Sequence, residues 1–181
     1  MTIARQLADA RERTLGPRHP DTLTARHTLA RARHEAGDLE KAVADLGSLL
    51  ADRIMILGAD HPDTLTTRHN LARCQGSLAL RRGVDLAGLV AEYAKILTDT
   101  RRILGNDHPD TLSARHELAL WRSLAGDPDR AAAEFAQLFA DRVRVLGADH
   151  PHTLKTRNEL AAATGRGGDP AAARRVHFGT G

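Results

Sequence analysis

Ten histidines stand among the 181 residues, and their spacing decides what chemistry they could do. Two metal ligands on one helix must lie three or four residues apart, so that both point to one side. His61 and His69 are eight apart, His116-Glu117 lacks a second histidine, and no His-Glu-x-x-His occurs. Cys74, the single cysteine, has no histidine at ligand spacing. Nor is there a glycine-rich phosphate loop, a nucleophile elbow, or a pair of carboxylates in a shared setting. The sequence therefore predicts no catalytic residue, no cofactor-binding residue, no cofactor and no metal ligand, and the chain reads as a non-enzyme. Four of the histidines have a structural reading instead. His19, His61, His108 and His150 each precede a proline. That places them at a helix N-cap, where a ring nitrogen or the preceding Asp can accept a backbone N–H.

Those histidines belong to a phrase that occurs four times. It runs Leu15-Gly-Pro-Arg-His-Pro-Asp-Thr-Leu23, and returns starting at Leu57, Leu104 and Leu146, at spacings of 42, 47 and 42 residues. A period in this range signals an array of repeated supersecondary units. The phrase punctuates helices. Gly16, Gly58, Gly105 and Gly147 fit a left-handed residue just past a helix C-terminus. Pro20, Pro62, Pro109 and Pro151 fit the first helical position, whose N–H has no partner to lose. Asp21, Asp63 and Asp110 then favour the positive end of the helix dipole.

Between phrases lie two helical patterns. The first spans about residues 20–36, with Leu23, Leu29 and Ala30 apolar. A break at Gly37-Asp38 follows, with Asp38 as N-cap, and the second helix runs to about residue 56. Its apolar stripe is Val43, Leu46, Leu50, Ile54 and Leu57. Leu86, Leu89, Tyr93, Ile96 and Leu97 repeat it, as do Ala131, Phe135, Leu138, Phe139 and Val143. Strand signals are absent. The fold class is all-α: an array of antiparallel helical hairpins, about 3.5–4 repeats long.

Composition narrows the function. Aromatics are only 3% of the chain, too few for stacking platforms that read single-stranded nucleic acid. Arginine supplies most of the basic residues, but the net charge is only +3 and acids are interspersed, so nucleic-acid binding is disfavoured. No apolar run approaches membrane-spanning length. The lone cysteine and the missing signal pattern lead to the expectation of a cytoplasmic protein without membrane partners.

The repeated unit resembles the tetratricopeptide repeat, in the longer form seen in kinesin light chains and actinobacterial proteins. The Leu-Gly-x-x-His-Pro-x-Thr-Leu junction carries the likeness. So do Arg26-His27-Thr28-Leu29-Ala30, Arg68-His69-Asn70-Leu71-Ala72, Arg115-His116-Glu117-Leu118-Ala119 and Arg157-Asn158-Glu159-Leu160-Ala161. The family's small residue in the second helix is matched by Ala42, Ala131 and Ala173, and Leu89 departs from it. The resemblance implies a right-handed solenoid over residues 1–181, with a partial leading helix at 1–15 and repeats at 15–56, 57–103, 104–145 and 146–178. Residues 171–176 then form a short, alanine-rich second helix before a Gly-Thr-Gly tail. The second repeat carries five extra residues within 75–83, expected at the turn between its helices or as an added helical turn. Cys74 aligns with Ala32 and Trp121, a buried packing position.

The same resemblance implies that the first helices line a concave groove. The groove residues are then Thr24, His27, Arg31 and His34; Thr66, His69 and Arg73; Ser113, His116 and Leu120; and Lys155 and Asn158. Residues 24, 27, 31 and 34 share one helical stripe. The leading expectation is a non-enzymatic interaction module holding a peptide or helix of an acidic protein partner in that groove. Its histidines, with ordinary pKa values near 6.5, would add positive charge as pH falls through about 7 to 6. An alternative is a regulatory or sensor segment of a larger transcription regulator or signalling ATPase. Incompletely capped ends suggest a homodimer as a further expectation.

Overall fold

The structure is a computed structural model that describes residues 2–165. The expected short helix at 171–176, with Ala173 and the Gly-Thr-Gly tail, lies outside the described residues. The chain divides into two compact units, Met1–Val84 and Asp85–Gly181. In the first, α1 (Thr2–Leu15), α2 (Pro20–Glu35), α3 (Leu39–Leu57) and α4 (Pro62–Arg82) each pack on the next in chain order. In the second, α5 (Ala87–Leu104), α6 (Pro109–Leu124), α7 (Pro128–Leu146) and α8 (Pro151–Gly165) do the same. The described residues contain helices and turns and no strand.

The junction phrase builds its caps as the sequence implies. Nδ1 of His19, His61, His108 and His150 accepts the backbone N–H two residues on, at 3.1–3.2 Å. An imidazole accepting through Nδ1 carries its proton on Nε2, so each cap fixes the tautomer. The glycines differ from expectation in one respect. Gly58 has φ 89° and ψ 160°, and Gly105 and Gly147 match it. The sign of φ is as predicted, but ψ puts them in a glycine-only extended region and not in the left-handed helical well. The chain thus leaves each helix extended before the next cap. At Asp38 the N-cap position is right, but its carboxylate makes no backbone cap and accepts from Lys41 Nζ at 2.9 Å.

Within each unit one hairpin, α2–α3 or α6–α7, runs antiparallel and is tied at both ends by paired charges. In the first unit Arg26 bonds Asp52 at 2.6 Å and Arg33 bonds Asp45, joining α2 to α3. In the second unit Arg115 bonds Asp141 at 2.7 Å and Arg122 bonds Glu134, joining α6 to α7. The two sets are offset by 89 residues, the distance from Leu15 to Leu104 and from Leu57 to Leu146. Small residues sit where helices approach: Ala30, Ala42 and Cys74 are buried around Leu46. Burial pushes the Cys74 thiol up to about 11, so it is an inert packing group at neutral pH. In the second unit Tyr93, Trp121, Phe135 and Leu138 fill the core, Tyr93 and Trp121 stacked at 6.3 Å.

The apolar stripe of α5 is buried as expected, at Leu86, Tyr93, Ile96 and Leu97, whereas that of α3 and the C-terminal end of that of α7 turn out rotated. In α3 the buried positions are Leu39, Ala42, Leu46, Leu49 and Arg53, while Ile54 is 45% exposed. In α7 Arg142 is buried and Val143 is 37% exposed. An arginine takes the inward place that the sequence gives to Ile54 and Val143. The arginine reaches the start of the neighbouring helix, where carbonyl oxygens keep a second lone pair that a guanidinium can use. Arg53 donates to Asp63 O at 2.8 Å and Thr67 Oγ1 at 2.6 Å. Arg142 donates to His152 O at 2.8 Å and Thr156 Oγ1 at 2.6 Å, and reaches Leu112 O at 3.1 Å. Arg11 does a weaker version of this, donating to Asp21 O at 3.1 Å.

The five extra residues of the second repeat extend a helix and leave the turn short. α4 has 21 residues where α2 and α6 have 16 each. Its added turn reaches the α2–α3 turn, where Arg81 donates to Gly37 O at 3.2 Å and to Glu40 at 2.5 Å. Arg82 bonds the same carboxylate at 3.2 Å.

Candidate functional site

In the first unit α2 and α4 lie side by side and bring the expected polar residues together. His27 Nε2 accepts from Asn70 Nδ2 at 2.8 Å, across 43 residues of sequence. His34 Nε2 lies 3.3 Å from Ser77 Oγ. Ser77 already donates its proton to Arg73 O at 3.2 Å, so His34 must donate to the serine. Arg31 is exposed and 3.5 Å from Glu35 on its own helix. Arg73, on α4, is half-buried, with Nε lacking a hydrogen-bond partner. Thr24 and Thr66 are on the same face, each donating to the carbonyl four residues back at 3.0 Å. His69 is half-buried.

The electrostatics of this face correct the expected pH response. His27 is held down to about 4, first by burial, then by the charges of Arg53, Arg31 and Arg73, with Asp63 opposing. His34 is lowered as well, by burial and Arg73. A neutral His27 is also what its bond with Asn70 requires, because Nε2 is the acceptor. His27 therefore adds no charge between pH 7 and 6. Its folded pKa lies below the unfolded value near 6.5, so the stability it contributes is full above about 6.5 and declines as pH falls toward 4. A proton NMR titration should show the His27 ring inflecting near 4, and an inflection near 6.5 would contradict this packing.

The second unit carries the matching positions on α6 and α8, with a different outcome. His116 and Leu120 are buried, 3% and 9% exposed, and do not face an open groove. His116 packs edge-on to Phe135 of α7, ring centroids 5.4 Å apart. The first repeat has Leu46 where the third has Phe135, and the larger ring reaches the imidazole. Ser113 is half-buried, while Lys155 and Asn158 are exposed on α8. Among the described residues no three His, Cys, Asp or Glu side chains converge as metal ligands, and no helix is long and apolar enough to cross a membrane.

Sequence reasoning missed four residues that shape these faces: Asn70, Ser77, Arg53 and Arg142. Asn70 and Ser77 lie one helical position from the stripe that was read, and only the neighbouring helix shows that they join it. For the arginines a signal was present. Arg53 and Arg142 occur four residues before the junction leucine in the copies whose next helix carries Thr67 or Thr156. Where that next helix carries Ala114, the arginine is Thr100.

Helical hairpins with this junction, these small packing residues and a polar first-helix face have the architecture of tetratricopeptide repeats. The comparisons agree. The tetratricopeptide repeat model matches residues 22–63 and 111–152. A putative kinesin light chain from Podosopora anserina, described as having nearly identical TPR-like repeats, is 27% identical, with a TM-score of 0.69 over 97% of this chain and 81% of that one. A single-substitution variant of it matches equally. BtubC (BKLC) from P. vanneervenii shares the fold at 19% identity, with a TM-score of 0.73 over 97% of this chain and 69% of that one. None of the curated proteins matches significantly. Tetratricopeptide repeats bind protein partners and are in general non-enzymatic scaffolds.

Proposed function

We propose that the chain is a non-enzymatic interaction module that holds an acidic peptide or helix of a protein partner against the α2–α4 face. The observation that supports it is the pairing of Arg31 and Arg73 with the polar row of His27, His34, Asn70 and Ser77. A half-buried guanidinium such as Arg73 can bind a carboxylate by two parallel N–H donors. The neutral histidines add adaptable hydrogen bonds and no charge. Within the second unit the matching positions are the exposed Lys155 and Asn158 and the half-buried Ser113, and His116 and Leu120 are packing residues.

The test is calorimetric titration of a partner identified by pull-down. Replacing Arg31 and Arg73 together with alanine should weaken binding by about 1–3 kcal/mol, the range for hydrogen bonds to charged groups. Helix content should stay the same, because Arg31 is exposed and Arg73 makes no ion pair. Binding should weaken in salt but hold steady between pH 7 and 6, since His27 does not titrate there. Unchanged affinity in the double variant would move the partner to another face.

A further inference from the structure

A second concave site lies in the second unit, on the other side of α6 from His116. A cavity of about 350 Å³ opens between α5, α6 and α7, lined by Arg101, Arg115, Arg122, Arg130, Thr98 and Glu134. Its size falls in the range of small-molecule sites. Arg115 and Arg122 are 12% and 13% exposed and are held by Asp141 and Glu134. Arg130 lies 3.7 Å from Glu134. Arg101 has no hydrogen-bond or ion-pair partner among the described residues. Four guanidinium groups therefore share three carboxylates, those of Glu134, Asp141 and Asp127, the last of which acts on Arg122. Burial first, and then the charge of Arg130, depress the Arg122 pKa, with Asp127 opposing.

The first unit shows what a balanced version looks like. At the 89-residue offset, Arg115, Arg122 and Arg130 correspond to Arg26, Arg33 and Lys41, and their carboxylates to Asp52 and Asp45. The α5 positions differ. Thr98 and Arg101 correspond to Asp9 and Glu12 of α1, and Ala94 to Arg5, which pairs with Asp9 at 3.8 Å. At these three positions α1 carries a net charge of −1 and α5 a net charge of +1, so the second unit is the more positive by two charges. Ion-pair ties between helices need no such excess, and the first unit makes its ties without it.

We infer that this cavity binds a small molecule carrying at least two negative charges on phosphate or carboxylate oxygens. Guanidinium forks match both groups, and the partly enclosed setting screens them less than open surface would. The site is independent of the α2–α4 face, and its arginines take no part there. The test is calorimetric titration of the full chain at low ionic strength with pyrophosphate and, separately, with citrate. Saturable binding of one or both is expected, weakening as sodium chloride is raised, and the stronger of the two identifies the source of the charge. Thr98→Asp with Arg101→Glu restores the acidic pattern of the first unit and should weaken binding at least ~tenfold. Arg101→Gln alone, an exposed change that leaves the helix ties in place, should weaken it in the same direction. Circular dichroism checks helix content in each variant. Absence of saturable binding by both anions, or binding unaffected by Arg101→Gln, would overturn the assignment.

Discussion

Phe135→Ala is expected to cost about 3–5 kcal/mol of unfolding free energy. The ring is 1% exposed and lies between Ala131 and Leu138 on the inward stripe of α7. It also holds the edge contact with His116 of α6, so its removal opens a void on two helices at once. Phe135→Leu gives the residue found at the equivalent Leu46, itself fully buried, and should cost less than about 2 kcal/mol. Urea unfolding of both variants checks the order. Equal losses would mean that the ring is not close-packed against α6.

The second large effect is expected from a charged residue. Arg142→Ala should destabilise by about 3 kcal/mol, as for a buried hydrogen-bonded charge whose partners are left dry. Arg142 is 2% exposed, and its guanidinium joins three helices through Leu112 O, His152 O and Thr156 Oγ1. Burial, with the charge of Arg115 nearby, brings its pKa down to about 10, so it remains protonated at neutral pH. Arg142→Lys should recover only part of the loss, because an ammonium cannot span acceptors on separate helices as a planar fork does. Thr156→Ala combined with Arg142→Ala should cost less than the sum of the two single changes, since they share one bond. Strict additivity in that cycle would remove the staple from the account of how α7 holds α8.

These two residues mark how far the sequence could be read. The helix boundaries, the histidine caps, the prolines at the first helical position and the small residues Ala30, Ala42 and Ala131 were all legible. Each depends on partners within about four residues, or on a simple rule of size at a repeated position. The buried arginines were missed because an arginine beside Ile54 or Val143 is placed outside by the ordinary hydropathy rule. Their recurrence with Thr67 and Thr156 was the clue, and it gains meaning only once the start of the next helix is known to lie alongside.

The sequence by itself determined that this protein is an array of capped helical hairpins with a polar row on its first helices, because caps and helical periodicity are local interactions. Tertiary structure alone decided which members of that row stay open, that His27 is neutral and that His116 is buried. It alone decided too that the arginines between α5 and α7 outnumber their carboxylates. Those outcomes turn on desolvation, on a hydrogen bond made across 43 residues between Asn70 and His27, or on one ring at Phe135. Burial and Coulomb energy depend on every neighbour in space, and the helix that supplies those neighbours is not written in the segment it packs against.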